Sequence, residues 1–276
     1  MGTCGHRLSE SEQVYIIHGI QDGMRNDGRR CDEYRPCVLK TDVLDGCCGS
    51  CRLRAGKTDI LVGIKAEITM PIDPNSGLVQ FSVDCSANAA PQFEGRGGED
   101  ISDKIVSLLS DAYGGSVDLS QLCIKSGEFC WRLCVDVLIL QIEGSLIDMI
   151  SLAVKAALLQ VQLPIASVKG DEESEKYEID LCDNEPLREL RPLFAPMCPC
   201  LATVHKIGWS NVVDLTPAEE QCSKACVTVA CKPNGEMSMM RQHGRGGSLD
   251  AESVSDMLSM ARQCALTLHK RVDALE

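Results

Sequence analysis

The chain has 276 residues, which is long enough for one domain with a substantial core or for two fused halves. Its formal net charge is −13, which excludes a protein that binds nucleic acid over its whole surface, so any such contact must be local. The hydrophobic content of 44% is that of an ordinary globular protein, but aromatic residues make up only 4%, so the core must be aliphatic and rich in cysteine.

Residues 1–26 are predicted to form a short N-terminal helix and a loop. Ser9 and Glu12 have the spacing of a capping box, and Gly19 ends the apolar pattern. The loop carries three arginines, Arg25, Arg29 and Arg30. Local spacing favours all three as solvated charges. We expect neither a secretion signal nor a membrane helix, because a basic-then-apolar leader and an 18-residue apolar run are both missing from the sequence.

Residues 27–168 form the first predicted half, in which most elements are strands. Its central apolar strand, Cys130–Gln141, leads through Gly144 into an apolar helix. A strand–glycine–helix junction can hold an anion, because free backbone N–H groups and the helix dipole point out of it. Ser145 or Asp148 is predicted to cap this helix.

A second helix is predicted after the glycine-rich loop Phe93–Gly98. The loop is not a nucleotide-binding P-loop, because no Gly-Lys-Ser/Thr sequence ends it. Glu99 and Asp100 lie in the first turn of the helix, where they suit the helix dipole and disfavour a phosphate.

Residues 169–195 are predicted to be an acidic connector, because the segment 171–189 alone carries −7 of the net −13. The second half, 196–268, is predicted to hold further strands and a final amphipathic helix, and 269–276 to be a tail. Strands and helices alternate within antiparallel hairpins in both halves. This pattern predicts an α+β fold of two βαβ-containing halves packed together.

The chain has 17 cysteines, an odd number that favours free thiols in a reducing compartment. Cys48 and Cys51 have CxxC spacing, but no second pair with zinc-finger spacing follows. Cysteines that act as small hydrophobic residues are therefore favoured over a metal or redox module, which elemental analysis would test. We expect no metal and no cofactor.

Seven motifs occur along the chain in one order: Arg25–Arg29, Gly49–Thr58, Val62–Glu67, Phe93–Gly98, Cys130–Asp136, Lys155–Leu158 and Gly247–Asp250. Together they resemble an RNase PH-type domain, and the resemblance runs from about Val14 to Leu268. Within that family the chain resembles the forty-two-type, non-catalytic ring subunits of the eukaryotic RNA exosome. The resemblance implies an RNase PH-like fold, a duplicated α+β domain.

In active members of the family, phosphate attacks the 3′-terminal phosphodiester of RNA and releases a nucleoside diphosphate. The resemblance implies a phosphate site with the pattern Gly-Gly-Ser/Thr-Arg at the central junction. This chain has Glu143, Gly144, Ser145 and Leu146 there. The arginine is replaced by Leu146, a carboxylate is gained, and Asp148 adds a second acid, so we expect phosphate to be repelled.

The resemblance also implies an acidic site that holds a divalent metal or donates a proton. Its three positions correspond here to Asp214, Glu220 and Cys226, so that one acid is lengthened and one is lost. We therefore expect the remaining acids to be surface or structural groups.

Related archaeal subunits carry arginines that face RNA along the helix after the glycine-rich loop. In this chain Ser107 and Asp111 lie near those positions, and Lys104 is the cation that remains. Arg96, in the loop itself, is the main candidate for RNA contact. The other candidates are Lys104 and three cations of a predicted hairpin, Arg52, Arg54 and Lys57.

The resemblance implies a non-catalytic subunit of a hetero-hexameric ring of RNase PH-like exosome subunits, together with cap subunits and a catalytic nuclease. Such a ring forms a channel for single-stranded RNA during 3′-to-5′ processing and decay, in rRNA maturation and mRNA turnover. It also implies localisation to the nucleus, with the nucleolus, and to the cytoplasm. The alternative is an active phosphate-dependent 3′-to-5′ exoribonuclease, against which Leu146 counts.

Overall fold

The structure is a computed structural model that describes residues 7–86, 89, 98–171, 176–181, 186–244 and 247–274, with the backbone alone at 169–171 and 176–178. The glycine-rich loop 93–97, including Arg96, lies outside the described residues. None of the helices in these ranges is long and apolar enough to cross a membrane.

An N-terminal helix and the first half of the chain contain the following elements: α1 (Glu10–Gln21), β1 (Cys37–Thr41), β2 (Gly49–Ala55), β3 (Thr58–Thr69), β4 (Leu78–Cys85), α2 (Glu99–Gly114), β5 (Cys123–Lys125), β6 (Phe129–Gln141) and α3 (Leu146–Leu158). The strands form one sheet in the order β1-β2-β3-β6-β4, and β5 pairs with β6. Strands β4 and β6 are parallel neighbours with α2 between them in sequence, which makes a βαβ unit.

The rest of the chain contains these elements: β7 (Gln162–Leu163), β8 (Ala166–Asp171), β9 (Lys176–Leu181), β10 (Arg188–Glu189), α4 (Arg191–Phe194), β11 (Cys200–Ile207), β12 (Ser210–Val213), α5 (Pro217–Cys222), β13 (Ala225–Cys231), β14 (Met237–Gly244) and α6 (Ala251–Asp273). The second sheet has the order β12-β11-β13-β14. Strands β12 and β13 are both antiparallel to β11, so they are parallel to each other, with α5 as their crossover. The predicted α+β fold with two βαβ-containing halves is confirmed.

Helix α3 joins the two halves. It packs against β2 and β3 of the first sheet and against β11 of the second. Every residue of α3 except Ile147 is buried, as the unbroken apolar sequence predicts. Core side chains of both sheets consequently belong to one hydrophobic cluster, so the halves share a core.

The structure adds detail to three of the predicted segments. Helix α1 packs on the second half, where Ile16 and Ile20 join a small apolar cluster with Val212 and Leu215. The acidic connector includes the antiparallel hairpin β8–β9, in which Val168 lies opposite Ile179. The predicted tail is largely helical, since α6 continues to Asp273 and buries Val272.

Candidate functional site at the junction between the halves

The turn between β6 and α3 has an uncommon backbone. Gly144 has φ +69° and Ser145 has φ +31°, so two consecutive residues lie in the left-handed region. A Cβ atom on Gly144 would lie 2.1 Å from the carbonyl oxygen of Leu215, so only glycine fits at this close approach. The turn brings the start of α3 against the segment that leads into α5.

The start of α3 is occupied by a carboxylate of the chain itself. The backbone N–H of Ser145 donates to Oε1 of Glu220 at 3.0 Å. The prediction that Ser145 or Asp148 caps the helix is wrong: the Ser145 side chain makes no capping bond, and its Oγ atom is buried without a hydrogen-bond partner among the described residues. Glu220 of α5 therefore takes the position in which an anion would meet the helix N-terminus.

Leu146 lies in the core, with 7% of its surface exposed. It is the first residue of α3, at the position where the sequence-based resemblance predicts an arginine in active members. An aliphatic side chain there offers no donor to an anion. Leu146 therefore contributes to the packing of the core.

Glu143 is used by the protein itself. Its Oε2 atom accepts a hydrogen bond from the Lys57 backbone N–H at 2.8 Å and lies 3.7 Å from Arg35 Nη1. Its own N–H donates to Oγ1 of Thr58 at 2.9 Å. Glu143 therefore links the turn between β2 and β3 to the turn between β6 and α3 by hydrogen bonds.

Asp148 is completely buried between the two halves. Its Oδ2 atom accepts hydrogen bonds from the Tyr34 hydroxyl at 2.6 Å and from the Thr203 N–H at 3.0 Å. Burial nevertheless raises the pKa of Asp148 to about 7, against the effect of these two bonds. The expectation that Asp148 adds a repelling charge to the junction surface is wrong, because its carboxyl group points into the core.

Asp214 is fully buried and has φ +49°. Its Oδ2 atom accepts from Nη1 of Arg29 and from the backbone N–H of Arg35, both at 2.6 Å, and its Oδ1 atom accepts from Arg35 Nη2 at 3.0 Å. The carboxylate joins the N-terminal loop to the second sheet. These contacts agree with the expectation that Asp214 is a structural group.

Glu219, next to Glu220, forms a buried ion pair with Arg25. Arg25 donates from Nε and Nη2 to the two carboxylate oxygens, at 2.9 and 2.7 Å, and its remaining donors reach backbone carbonyls. The interpretation of Arg25 and Arg29 as solvated charges is wrong, because their side chains are only 0% and 10% exposed and pair with Glu219 and Asp214. Arg30 is solvated, with 77% of its side chain exposed.

Cys226, predicted from the sequence to correspond to the third acidic position, lies on β13. It is directly opposite His205 of β11 and His243 of β14. Burial raises the pKa of the Cys226 thiol to about 11, so the group is neutral at physiological pH and is a poor substitute for a carboxylate. Within the described ranges, no group of three or more His, Cys, Asp or Glu side chains is placed to hold a metal ion.

Among the described residues, the candidates for RNA contact lie in two separate places, the β2–β3 hairpin and helix α2. Arg52 and Arg54 both bond to Asp59, and Lys57 is 82% exposed on the same hairpin. Lys104 is exposed on α2, which packs on β4, the strand at the opposite edge of the sheet from β1. Arg96 lies outside the described residues.

Three residues of the site were not found from the sequence. Arg35 and Tyr34 bind Asp214 and Asp148. Arg241 of β14 donates to Ser107 at 3.1 Å and pairs with Asp111, so it adds a cation from the second half to the surface of α2. For helix α5 the sequence did contain a local pattern, because Thr216 and Glu219 have the spacing of a capping box and form one in the structure.

Comparison with known families matches residues 33–164 to domain 1 of the 3′ exoribonuclease family, RNase PH, and residues 198–264 to domain 2. The chain therefore belongs to the RNase PH family of 3′ exoribonucleases. Its similarity to the exosome members of this family, predicted from the motifs, is also confirmed, as the following relatives show.

The exosome complex component Rrp42 of Thermococcus kodakarensis is 31% identical over 94% of this chain and 93% of the relative. A relative from Dictyostelium discoideum, whose name places it in the exosome complex as RRP42, is 28% identical over 93% of this chain and 94% of its own length. A chain of the Archaeoglobus fulgidus exosome with RNA bound to the active site superposes with a TM-score of 0.77 and 26% identity, and the match covers 95% of this chain and 98% of that one.

Proposed function

We propose that this chain is a non-catalytic structural subunit of an RNA exosome ring, which helps to form the channel through which single-stranded RNA is threaded for 3′-to-5′ processing and decay. The observation that carries the proposal is the hydrogen bond from the Ser145 N–H to the Glu220 carboxylate at the start of α3. Phosphorolysis needs an inorganic phosphate held at such a helix start. Here an internal anion already holds the position.

The surrounding residues support the same conclusion. Leu146 is buried where a phosphate-binding arginine would be needed, and a neutral thiol, Cys226, stands where a third acid would be needed. Asp214, the acid that remains in place, has its oxygens engaged by Arg29 and Arg35. Each of these groups is therefore either replaced or part of the protein's own hydrogen-bond network.

The proposed partners are other RNase PH-like subunits in a hetero-hexameric ring, with cap subunits and a catalytic nuclease, and single-stranded RNA. The names of the relatives as exosome components, together with the full-length match to them, support this assignment. Localisation to the nucleus, with the nucleolus, and to the cytoplasm is part of the proposal, and imaging of a fluorescently tagged chain tests it.

An activity assay tests the absence of catalysis. The purified chain is incubated with single-stranded RNA, Mg²⁺ and inorganic phosphate, with an active RNase PH family enzyme run in parallel. We expect no nucleoside diphosphate from this chain. Release of nucleoside diphosphate that disappears in Asp214→Asn would establish the alternative, an active phosphate-dependent exoribonuclease.

Ring membership is tested separately by purification at native expression level and identification of the proteins that accompany the chain. We expect other RNase PH-like subunits in stoichiometric amount. Recovery of the chain alone, or with itself only, would contradict ring membership even if the assay shows no activity.

A further inference from the structure

Two cysteines face each other across the hairpin formed by β5 and β6. The strand register places Cys123 directly opposite Cys130, and the register shifts between Cys123 and Lys125, next to this pair. Residues directly opposite in an antiparallel pair point to the same face, with Cα atoms about 4.5–5.5 Å apart. That separation lies within the range of about 4.4–6.8 Å that a disulfide spans.

We propose that Cys123 and Cys130 form a modification site, a thiol pair that peroxide converts reversibly into a cross-strand disulfide. Both thiols are free in the structure. Their direct pairing in the strand register places the two residues next to each other on neighbouring strands, as a cross-strand disulfide requires.

The two thiols differ in exposure, which gives each a role in the reaction. Cys123 is partly exposed, with its Sγ atom 3.7 Å from the carbonyl oxygen of Pro74, so it can meet a solvent-borne oxidant. Cys130 is fully buried, and burial raises the pKa of its thiol. Cys123 is therefore the group that is oxidised first, and Cys130 is the group that completes the bond.

The chemistry balances with hydrogen peroxide as the oxidant. The sulfur of Cys123 attacks one peroxide oxygen, the O–O bond breaks, and the second oxygen leaves as water, which yields a sulfenic acid. The sulfur of Cys130 then attacks the sulfur of Cys123. The S–S bond forms as the S–O bond breaks, and the hydroxide leaves as water with the proton of the Cys130 thiol.

The bond would stiffen a surface loop that carries two exposed apolar side chains. The turn between the two cysteines holds the loop 70–77 through the Gly127 N–H to Pro74 bond, at 2.8 Å, and the Ser126 to Asn75 bond, at 2.7 Å. In that loop Met70 is 73% exposed and Ile72 is 85% exposed. Oxidation would therefore change the mobility of this surface and leave the junction at α3 untouched.

The chain supplies two internal controls. Cys200 and Cys231 are also directly opposite each other, on β11 and β13, but both are completely buried and out of reach of an oxidant. Cys85 is partly exposed like Cys123, but the residue opposite it is Ile139. The pair Cys123 and Cys130 combines a cysteine on the opposite strand with a thiol that an oxidant can reach. Cys200 and Cys231 have only the opposed cysteine, and Cys85 has only the accessible thiol.

The test is peptide mapping by mass spectrometry of the full-length chain after treatment with hydrogen peroxide, with and without later reduction. We expect a linked peptide pair containing Cys123 and Cys130 that reduction removes, together with slower amide exchange of the β5 hairpin by hydrogen-exchange mass spectrometry. The Cys200–Cys231 link should be absent, and Cys85 should be recovered without a cysteine partner from its own chain.

Two variants keep the test decisive. In Cys123→Ser the link should be lost. In Cys130→Ala the link should also be lost, and Cys123 should instead accumulate as the sulfinic acid, with the fold of both variants checked by circular dichroism. Accumulation of oxidised Cys123 in the unsubstituted chain while Cys130 stays a free thiol, or equal formation of the Cys200–Cys231 link, would overturn the proposal.

Discussion

Arg25 illustrates at the scale of one residue what local sequence spacing can and cannot predict. It lies in a polar loop beside an Asp-Gly turn, a context typical of solvated charge. Its partner Glu219 is 194 positions away in sequence, and the pair is buried only because the loop packs on the second half. Long-range ion pairs of this kind leave no local signal in the sequence.

The first prediction concerns this pair. Arg25→Ala should lower the free energy of unfolding by about 3–5 kcal/mol, because it leaves the Glu219 carboxylate buried without its counter-charge. Urea denaturation of the full chain measures the loss. Arg30→Ala is the matched control, since its exposed pair with Asp32 is screened by solvent and should contribute little to stability. Equal losses for the two variants would contradict the buried-pair assignment.

The second prediction concerns pH. The folded pKa of Asp148 is raised to about 7 from 3.8, so between these values the folded state binds more protons than the unfolded state. Stability arising from the protonated form is therefore fully present below about pH 4 and is lost as pH rises to about 7. Asp148→Asn removes this titration, so its stability relative to the parent should rise over that window, by up to about 4 kcal/mol.

Thermal or urea unfolding of the parent and Asp148→Asn at pH values from 4 to 8 checks the prediction. Asp103→Asn, on the exposed face of α2, is the control for loss of a carboxylate as such. If the stability difference between the parent and Asp148→Asn stays constant across the window, the buried carboxyl does not titrate as described.

At the scale of the element, the sequence predicts α3 and its junction well and predicts the surroundings of the junction poorly. An apolar run interrupted by glycine indicates a strand, a turn and a buried helix regardless of tertiary context. Which group meets the start of the helix depends on α5, more than 70 residues further along the chain. The predicted local cap was wrong for that reason, although Ser145 is at the N-cap position.

The third prediction follows from the Glu220 contact. Glu220→Ala removes the carboxylate from the start of α3 and should lower the free energy of unfolding by about 1–2 kcal/mol, since it leaves the Ser145 N–H without this acceptor. In the variant, inorganic phosphate should raise the unfolding temperature above that in chloride of equal ionic strength. The parent should show no such difference, because its anion position is occupied.

Glu220→Gln is the matched control, because its side-chain oxygen still accepts the hydrogen bond while the charge is removed. We expect a smaller loss of stability and little response to phosphate. A parent chain that gains as much from phosphate as Glu220→Ala would show that phosphate binds elsewhere, and it would remove the main support for an occupied anion site.

At the scale of the whole molecule, the α+β class and the two similar halves were predictable because each strand and hairpin has its own local pattern. The pairing between the elements was less predictable. Nothing in the sequence of β4 indicates that it lies parallel to β6, and nothing in α1 indicates that it packs on the second half. These placements result from burial of apolar faces in a shared core, which is a property of the complete chain.

The final prediction concerns the open edges of the two sheets. Strands β1 and β14 each lie at a sheet edge and expose an apolar side chain, with Val38 58% exposed and Met240 57% exposed. An exposed edge strand is a template for pairing with another chain, so a subunit that needs ring neighbours should aggregate when it is isolated. We expect Val38→Lys and Met240→Lys to lower the aggregated fraction, because charge on an edge disfavours pairing.

Light scattering and size-exclusion chromatography of the isolated chain over a range of concentrations measure the effect. Met24→Lys is the control, since it adds the same charge at a residue that is 67% exposed and lies in the loop after α1. If one of the edge variants also loses its RNase PH-like partners in co-purification, while Met24→Lys keeps them, that edge is part of the ring interface. A parent chain that stays monomeric at high concentration would count against an edge-mediated ring, because its edges would then need no neighbour.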